Sequence, residues 1–190
     1  MPSASHTPIQ SIRPLQKTWC SHLACLGPVG LAPVAPGTIG SLVAIPFAAC
    51  LIANLSLASL GLVCLLWILL AIWCCGRAEL ELGLRDPGCI ILDEFVAVPC
   101  CYLGLLALHP NLFQAMKSPE GIFSSSAWIL HGLVFALFRL FDITKPWPVG
   151  PAQRLPGGWG VVLDDVVAAI LVNIVLMIGW WGKNHFPLFA

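Results

Sequence analysis

Residues 57–75 read LASLGLVCLLWILLAIWCC, a run that contains no charged side chain. A helix needs about 20 mostly apolar residues to cross the hydrocarbon core of a bilayer. The rest of the chain has a similar character, because 58% of its 190 residues are hydrophobic and only 9% are charged. Soluble domains usually carry about 25% charged residues. The sequence therefore predicts an all-α integral membrane protein.

Four other segments are long and apolar enough to cross, although the span before Asp142 is short and contains Arg139. They predict a polytopic bundle of about five hydrophobic helices, the other four being roughly 39–55, 90–108, 126–141 and 161–181. A few residues near Asn54–Ser59 separate the first two spans, as in a tight helical hairpin. Residues 1–18 are polar and lack the apolar core of a signal peptide. We expect a disordered tail there and one membrane-embedded domain over 19–190.

Positive charge is distributed unevenly between the two ends of this predicted bundle. Five crossings place the N-terminus and the loops 76–90 and 142–160 at one end, with seven of the nine Lys and Arg residues: Arg13, Lys17, Arg77, Arg85, Arg139, Lys145 and Arg154. Lys117 and Lys183 fall at the other end. The positive-inside rule makes the first end cytoplasmic. The unusual polar segments lie at this same end, so the sequence predicts an active site on the cytoplasmic rim.

Eight of the nine acidic residues also fall at this rim. Two pairs, Asp93–Glu94 and Asp164–Asp165, lie a few residues inside hydrophobic helices, and Asp142 follows the fourth span. Carboxylates inside a membrane protein are tolerated when they pair, bind a cation or face water. Oxygen ligands suit Mg²⁺, which often bridges protein carboxylates to a substrate phosphate. We therefore interpret these five residues as catalytic residues and Mg²⁺ ligands. The alternative is that each pair caps a helix N-terminus.

Groups suited to an anion accompany the acids. Glycine-rich segments open the first and fifth spans, where backbone N–H groups can face a phosphate. Basic side chains at the same end add positive charge, or serve as interfacial anchors. The candidate substrate-binding residues are Thr38, which we expect to cap the first helix, together with Arg139, Lys145, Gly157 and Gly158.

Several other chemistries lack their motifs in this sequence. No Cys-x₅-Arg loop, Gly-x-Ser-x-Gly elbow or Gly-x₄-Gly-Lys-Ser/Thr loop occurs. Among the five histidines only His22 is placed to reach the rim, and His131 falls in mid-span. A histidine nucleophile is therefore poorly supported. The net charge is zero and Lys and Arg form no run, which argues against nucleic acid as a partner.

Three blocks of the chain resemble the signature blocks of the phosphatidylglycerophosphatase A family. They are GLAPVAPGTIGSLVAIPF (30–47), RDPGCIILDEF (85–95) and FRLFDITKPWPVGPAQRLPGGWGVVLDDVVA (138–168). The resemblance implies a Mg²⁺-dependent enzyme of the bacterial inner membrane that hydrolyses phosphatidylglycerophosphate to phosphatidylglycerol and phosphate at the cytoplasmic face. It also implies site roles for the five carboxylates and for the basic, turn and first-block positions Arg139, Lys145, Pro146, Gly157, Gly158, Pro36, Gly37 and Thr38.

Other functions stay open at this point. The enzyme could act on another phospholipid such as phosphatidate, or the chain could bind lipid without turnover. A cation channel or transporter should carry acids deep in several spans or at both ends. Here the acids gather at one end, and Asn173 is the one obvious polar residue deep in the fifth span. The residues are compatible with one or two Mg²⁺ ions, and with attack by water or through a phospho-aspartate. Protein partners and oligomeric state are not indicated.

Overall fold

The computed structural model describes residues 18–185, with side chains up to Gly182, and all of its regular structure is helical. The helices are α1 (Trp19–Ala24), α2 (Pro36–Asn54), α3 (Leu57–Leu82), α4 (Leu92–Cys100), α5 (Leu103–Leu108), α6 (Pro110–Ala115), α7 (Pro119–Ile122), α8 (Ser125–Thr144), α9 (Val149–Ala152) and α10 (Gly158–His185), with a 3₁₀ turn at Val29–Leu31. The predicted all-α class is confirmed. The predicted tail lies outside the described residues except for Thr18, whose hydroxyl accepts a hydrogen bond from the Cys20 N–H at the start of α1.

Four of these helices are long and apolar enough to cross a membrane: α2, α3, α8 and the part of α10 up to Gly182. Their outward faces carry large apolar side chains that are about half exposed or more, such as Leu66 on α3, Ile129 on α8 and Ile178 on α10. Water disfavours apolar surfaces of this extent, whereas lipid tails accommodate them. The chain is therefore a multi-helix membrane protein.

Local signals set the ends of the long helices. The Ser56 hydroxyl accepts a hydrogen bond from the Ser59 N–H at the start of α3, and Gly83 ends α3 with a left-handed backbone (φ +64°). Serine is a preferred N-cap, and glycine adopts positive φ without a steric penalty. Only Leu55 and Ser56 separate α2 from α3. The predicted tight hairpin is confirmed.

The predicted third span, 90–108, is not one helix but two short ones, α4 and α5. Pro99 lies in the last turn of α4, and the next two N–H groups, of Cys101 and Tyr102, donate to carbonyls only three residues back. Proline and a tightened final turn are common ways for a helix to end. Both Cys101 and Tyr102 are fully buried. The segment forms the interior of the bundle, packed between α2, α3 and α10, rather than a lipid-facing span.

This broken segment still runs alongside α10 from one end of the bundle to the other. Near its middle the Asn173 side chain accepts a hydrogen bond from the Gly104 N–H (2.7 Å) and donates to the Cys100 carbonyl (2.8 Å). At the far end the rings of His109 and Trp180 lie 4.8 Å apart. Terminal N–H and C=O groups of short helices lack intrahelical partners. Asn173 supplies those partners where the helix breaks, which accounts for a polar residue deep in α10.

We expect Asn173→Leu to lower the stability of the bundle, because it removes both of these bonds and leaves buried backbone groups unpaired. The loss should be about 1–2 kcal/mol, or a fall of about 3–6 °C in Tm for a chain of this size. Thermal unfolding in detergent, followed by circular dichroism, measures it. Asn54→Leu is the matched control, because Asn54 is exposed and bonds only within its own helix. An unchanged Tm for Asn173→Leu would contradict this role.

Candidate active site

A cavity of about 300 Å³ opens at one end of the bundle, where the ends of several helices meet. The start of α2, the loop before α4, the first turn of α4, the end of α8 and the second turn of α10 all contribute to it. Its lining residues are Ala35, Pro36, Gly37, Asp86, Gly88, Ile90, Asp93, Glu94, Arg139, Asp142, Lys145, Asp164 and Asp165. The structure thus brings together all five carboxylates that were predicted from sequence.

The acidic pairs do not occupy the positions that helix capping requires. α10 begins at Gly158 and has no acidic residue in its first turn, so Asp164 and Asp165 lie one turn inside it. Asp93 and Glu94 do lie in the first turn of α4, but its N-cap residue, Ile91, makes no side-chain capping bond. The capping alternative is wrong for the second pair. For the first pair, the helix dipole acts in addition to the contacts inside the cavity.

The carboxylates form two groups that share one residue. Asp93, Glu94 and Asp165 each offer an oxygen atom, and these atoms lie within 4.8 Å of one another. Asp142, Asp164 and Asp165 do the same. Asp165 therefore stands between the two groups. It is also 3% exposed, so little water screens its charge from its neighbours.

Arg139 and Lys145 partly neutralise this negative charge. An Arg139 Nη1 lies 2.8 Å from Asp142 Oδ2 and 3.4 Å from Glu94 Oε1. Lys145 Nζ lies 2.5 Å from Asp164 Oδ2 and 3.8 Å from Asp142 Oδ1. Each cation thus contacts two carboxylates, and Asp142 contacts both cations. The two side chains are part of the site rather than interfacial anchors.

The environment of Lys145 keeps it protonated. Burial alone would lower the pKa of Lys145, but its hydrogen bond to Asp164 and the charges of the neighbouring carboxylates outweigh burial and raise it. Lys145 also has a left-handed backbone (φ +44°) as the residue that ends α8. This backbone turn directs the chain into the loop that leads to α10.

The cavity still contains more acid than base, and some of its oxygen atoms are unpaired. Six carboxylic acids and two basic side chains line it. Among the described residues, Asp93 Oδ1 and Glu94 Oε2 are buried without a hydrogen-bond partner. Unpaired buried carboxylate oxygens are costly, and a hard divalent cation such as Mg²⁺ prefers such ligands. The residues present therefore fit the predicted metal.

Comparison with known proteins identifies the family. The family model described as Phosphatidylglycerophosphatase A matches residues 22–180. A protein named phosphatidylglycerophosphatase A from Escherichia coli (strain K12) is 35% identical over 170 residues, covering 88% of this chain and 86% of the relative. The chain belongs to the phosphatidylglycerophosphatase A family. The resemblance seen in the sequence blocks is confirmed.

Two further relatives of this chain extend the comparison. A phosphatidylglycerophosphatase A from Haemophilus influenzae is 36% identical over 163 residues, covering 84% of this chain and 89% of the relative. A putative phosphatidylinositol-3-phosphatase from Bacteroides thetaiotaomicron is 31% identical over 163 residues, covering 80% and 87%. No solved structure matches the chain. The predicted enzyme class, a lipid phosphomonoesterase, is that of the family.

Three predicted substrate-binding residues lie outside the carboxylate cavity. Thr38 is half-buried but does not line it, and it is not the N-cap of α2, because the helix begins at Pro36 after a left-handed Ala35. That capping prediction is wrong. Gly157 lines a neighbouring cleft instead. Gly158 packs against α3, where an added Cβ would overlap the Ile72 carbonyl oxygen. The sequence shows a glycine-rich helix entry but not which cavity it faces.

Two further residues, Asp86 and Ser41, belong to the site although they were not predicted as site residues, and Gly37, to which the resemblance gave a site role, lines the cavity. Asp86 lines the cavity and accepts a hydrogen bond from Gln153. The Ser41 hydroxyl donates to the Gly37 carbonyl and lies 3.5 Å from Arg139 Nη1. Gly37 faces Glu94, and a Cβ added there would overlap Glu94 Oε1 and displace that side chain. The one available sequence signal was that Asp86 shares a block with Asp93.

Proposed function

We propose that this protein removes the terminal phosphate of phosphatidylglycerophosphate, with Mg²⁺, to give phosphatidylglycerol. The observation that carries the proposal is the convergence of five carboxylates with Arg139 and Lys145 in one cavity, in a chain of this family. The family's name supports the substrate. The carboxylate-rich cavity, with its unpaired oxygens, supports the metal.

We further propose that the cavity faces the cytoplasm across the bacterial inner membrane. Arg77, Arg85, Lys145 and Arg154 lie in or next to the loops at the cavity end, and Lys117 lies at the other end. The positive-inside rule supports this orientation. A phospholipid can then reach the cavity from the inner leaflet.

In this proposal the five carboxylates would hold the metal, and one of them would accept the proton of the attacking water. When bound, Mg²⁺ would neutralise the carboxylates and stabilise negative charge that develops on the phosphoryl oxygens. Attack by the water oxygen forms a new P–O bond, the bond from phosphorus to the glycerol oxygen breaks, and the proton taken up by the carboxylate passes to the departing glycerol oxygen. Arg139 and Lys145 hold the phosphate and balance its charge. Attack by an aspartate in place of water would leave a phospho-aspartate, which rapid acid quenching would trap.

The N-terminus of α2 contributes to phosphate binding. Ala35, Pro36 and Gly37 line the cavity, so the first turn of this 19-residue helix points at it. The first N–H groups of a helix lack intrahelical partners and favour anions. The N–H of Gly37 lies in this turn.

The test is phosphate release by the detergent-purified protein from phosphatidylglycerophosphate, phosphatidate and phosphatidylinositol 3-phosphate, each with Mg²⁺ and with EDTA. We expect release from the first to exceed release from the other two, and to fall to background with EDTA. Equal release in EDTA would overturn the metal assignment. Faster release from phosphatidylinositol 3-phosphate would transfer the assignment to the activity named in the Bacteroides relative.

A further inference from the structure

A second and larger cavity lies near the end of the bundle opposite the carboxylates. It has a volume of about 680 Å³ and lies between α2, α7 and α8. Cavities that bind small molecules are commonly about 300–1,000 Å³. Most of its wall is apolar, with Ile45, Ala49 and Ala53 on one side and Trp128 on the other. An apolar wall of this kind suits a hydrocarbon chain.

One buried polar group faces this cavity without a partner. His131 lines the wall, is 5% exposed, and its Nε2 has no hydrogen-bond partner among the described residues. Its other nitrogen, Nδ1, lies 2.9 Å from the hydroxyl of the fully buried Tyr102. With the phenol as donor to Nδ1, Nε2 carries the hydrogen and can donate it. Ionisable residues inside a membrane protein usually have a functional reason.

A cation stands at the mouth of the same cavity. Lys117 lines it, and its Nζ donates to the Leu55 carbonyl (2.7 Å) while lying 4.9 Å from the centre of the Phe113 ring. An ammonium has three hydrogen-bond donors, so this bond fixes its position and leaves capacity for an anion. Glu120, the acidic residue of the neighbouring α7, is exposed and does not line the cavity. Lys117 is therefore the one side chain with a full charge among the described residues that line this cavity.

The order of these groups matches the order of groups in a phospholipid. His131 lies six residues along α8 from Ser125, the first residue of that helix. At 1.5 Å per residue it is therefore about 9 Å further into the bundle than the start of α8. A lipid with its phosphate at Lys117 would place its ester carbonyls below the phosphate and its acyl chain deeper still. The ester carbonyl accepts hydrogen bonds, as the His131 Nε2–H requires. The apolar wall from Ala53 to Leu42 then accommodates the chain.

We propose that this cavity binds an anionic phospholipid from the leaflet opposite the active site. Lys117 contacts the phosphate, His131 donates to an ester carbonyl, and an acyl chain lies between α2 and α8. The site is separate from the carboxylate cavity, because the two share no lining residue. Binding there does not depend on the protein being a phosphatase.

Native mass spectrometry of the detergent-purified protein, titrated with phosphatidylserine and phosphatidylcholine of identical acyl chains, tests the proposal. These lipids are neither substrate nor product of the proposed reaction. We expect one tightly bound phosphatidylserine and weaker phosphatidylcholine. Lys117→Gln should weaken phosphatidylserine binding about fivefold, as expected for one interfacial positive charge, and should weaken phosphatidylcholine binding less, because the choline cation already offsets the charge of that lipid's phosphate. Ala53→Phe should weaken both lipids by filling the cavity.

The controls separate this site from general lipid association. Ala107→Phe adds the same bulk at an exposed position on α5 outside the cavity, and Arg77→Gln removes an exposed charge at the other end; both should bind lipid like the parent protein. Equal binding of the two lipids by the parent, or binding unaffected by Ala53→Phe, would overturn the proposal. A change in acyl-chain preference during turnover in Ala53→Phe would instead assign the cavity to the substrate's own chain.

Discussion

Asp165→Asn is expected to reduce kcat by about a hundred- to a thousandfold while leaving the protein folded. Asp165 is the residue common to both carboxylate groups of the cavity. Its replacement therefore weakens both candidate metal positions at once, and the loss of charge stabilisation is worth several kcal/mol. Asparagine has nearly the same shape as aspartate, so packing around α10 should be retained. Turnover of the proposed substrate at saturating Mg²⁺ measures the effect.

For stability we expect the same variant to show no loss, in contrast to its loss of turnover. In EDTA the parent protein holds five ionisable carboxylates close together, and removal of one charge relieves repulsion, so Tm should stay equal or rise. Added Mg²⁺ should raise the Tm of the parent protein by binding the folded state, and Asp165→Asn should lose most of that rise. Glu81→Gln is the control, because Glu81 lies at the same end, bonded to Thr18, outside the cavity. Parent-like turnover in Asp165→Asn would remove this residue from the site.

Gly37→Ala is expected to lower turnover by about ten- to a hundredfold although it adds only a methyl group. A Cβ at this position would overlap Glu94 Oε1 and would lie 3.3 Å from Arg139 Nη1. Glu94 and Arg139 must therefore shift, and a displacement of about 1 Å in a catalytic group can cost a hundredfold in rate. Because Asp142 shares Arg139, the shift extends to the second carboxylate group.

The matched control for this substitution is Gly61→Ala on α3, where no atom lies within 4 Å of the added Cβ. Alanine also favours a helix relative to glycine, so this control should be active and at least as stable as the parent. Steady-state kinetics on both variants, with circular dichroism to verify folding, makes the comparison. If Gly37→Ala turns over like Gly61→Ala, then the close contact with Glu94 has no part in catalysis.

The sequence was sufficient to predict the fold class, because a chain that crosses a bilayer as helices needs long segments of mostly apolar residues. A run without charged side chains such as 57–75 requires lipid or a protein interior around it, and the short connection after Asn54 favours a hairpin. The sequence did not reveal the break in 90–108. A buried interior segment and a lipid-facing span are equally apolar, so hydrophobicity cannot distinguish them. Pro99 and the polar Asn173 across from it were the available signs, and only their contact makes them informative.

The carboxylates were predictable for a similar reason. A charged side chain inside an apolar helix raises the free energy of insertion, so such residues are mostly found where they have a function. The positions of Asp93 and Asp165 therefore indicated a site before any geometry was available. A glycine at the start of an apolar helix has no comparable cost that would mark it as part of a site. In sequence, Gly157 and Gly158 look as suitable for phosphate as Gly37 does. The structure separates them, because Gly158 packs against α3 and Gly157 lines a neighbouring cleft.

The placement of Asp93 and Glu94 on the interior segment constrains how the protein is made. Residues 90–108 leave the ribosome before Arg139, which later pairs with Glu94. They also leave it before Asn173, which later bonds to the backbone at Gly104 and Cys100. At that stage the segment is interrupted by Pro99 and carries two acids without counter-charges, so it is a poor membrane-insertion signal by itself. We infer that it settles into the bundle only after α8 and α10 have entered the bilayer. Assembly of the carboxylate cavity would then be the last step of biogenesis, and truncated chains that lack α10 would be membrane-bound without a complete cavity.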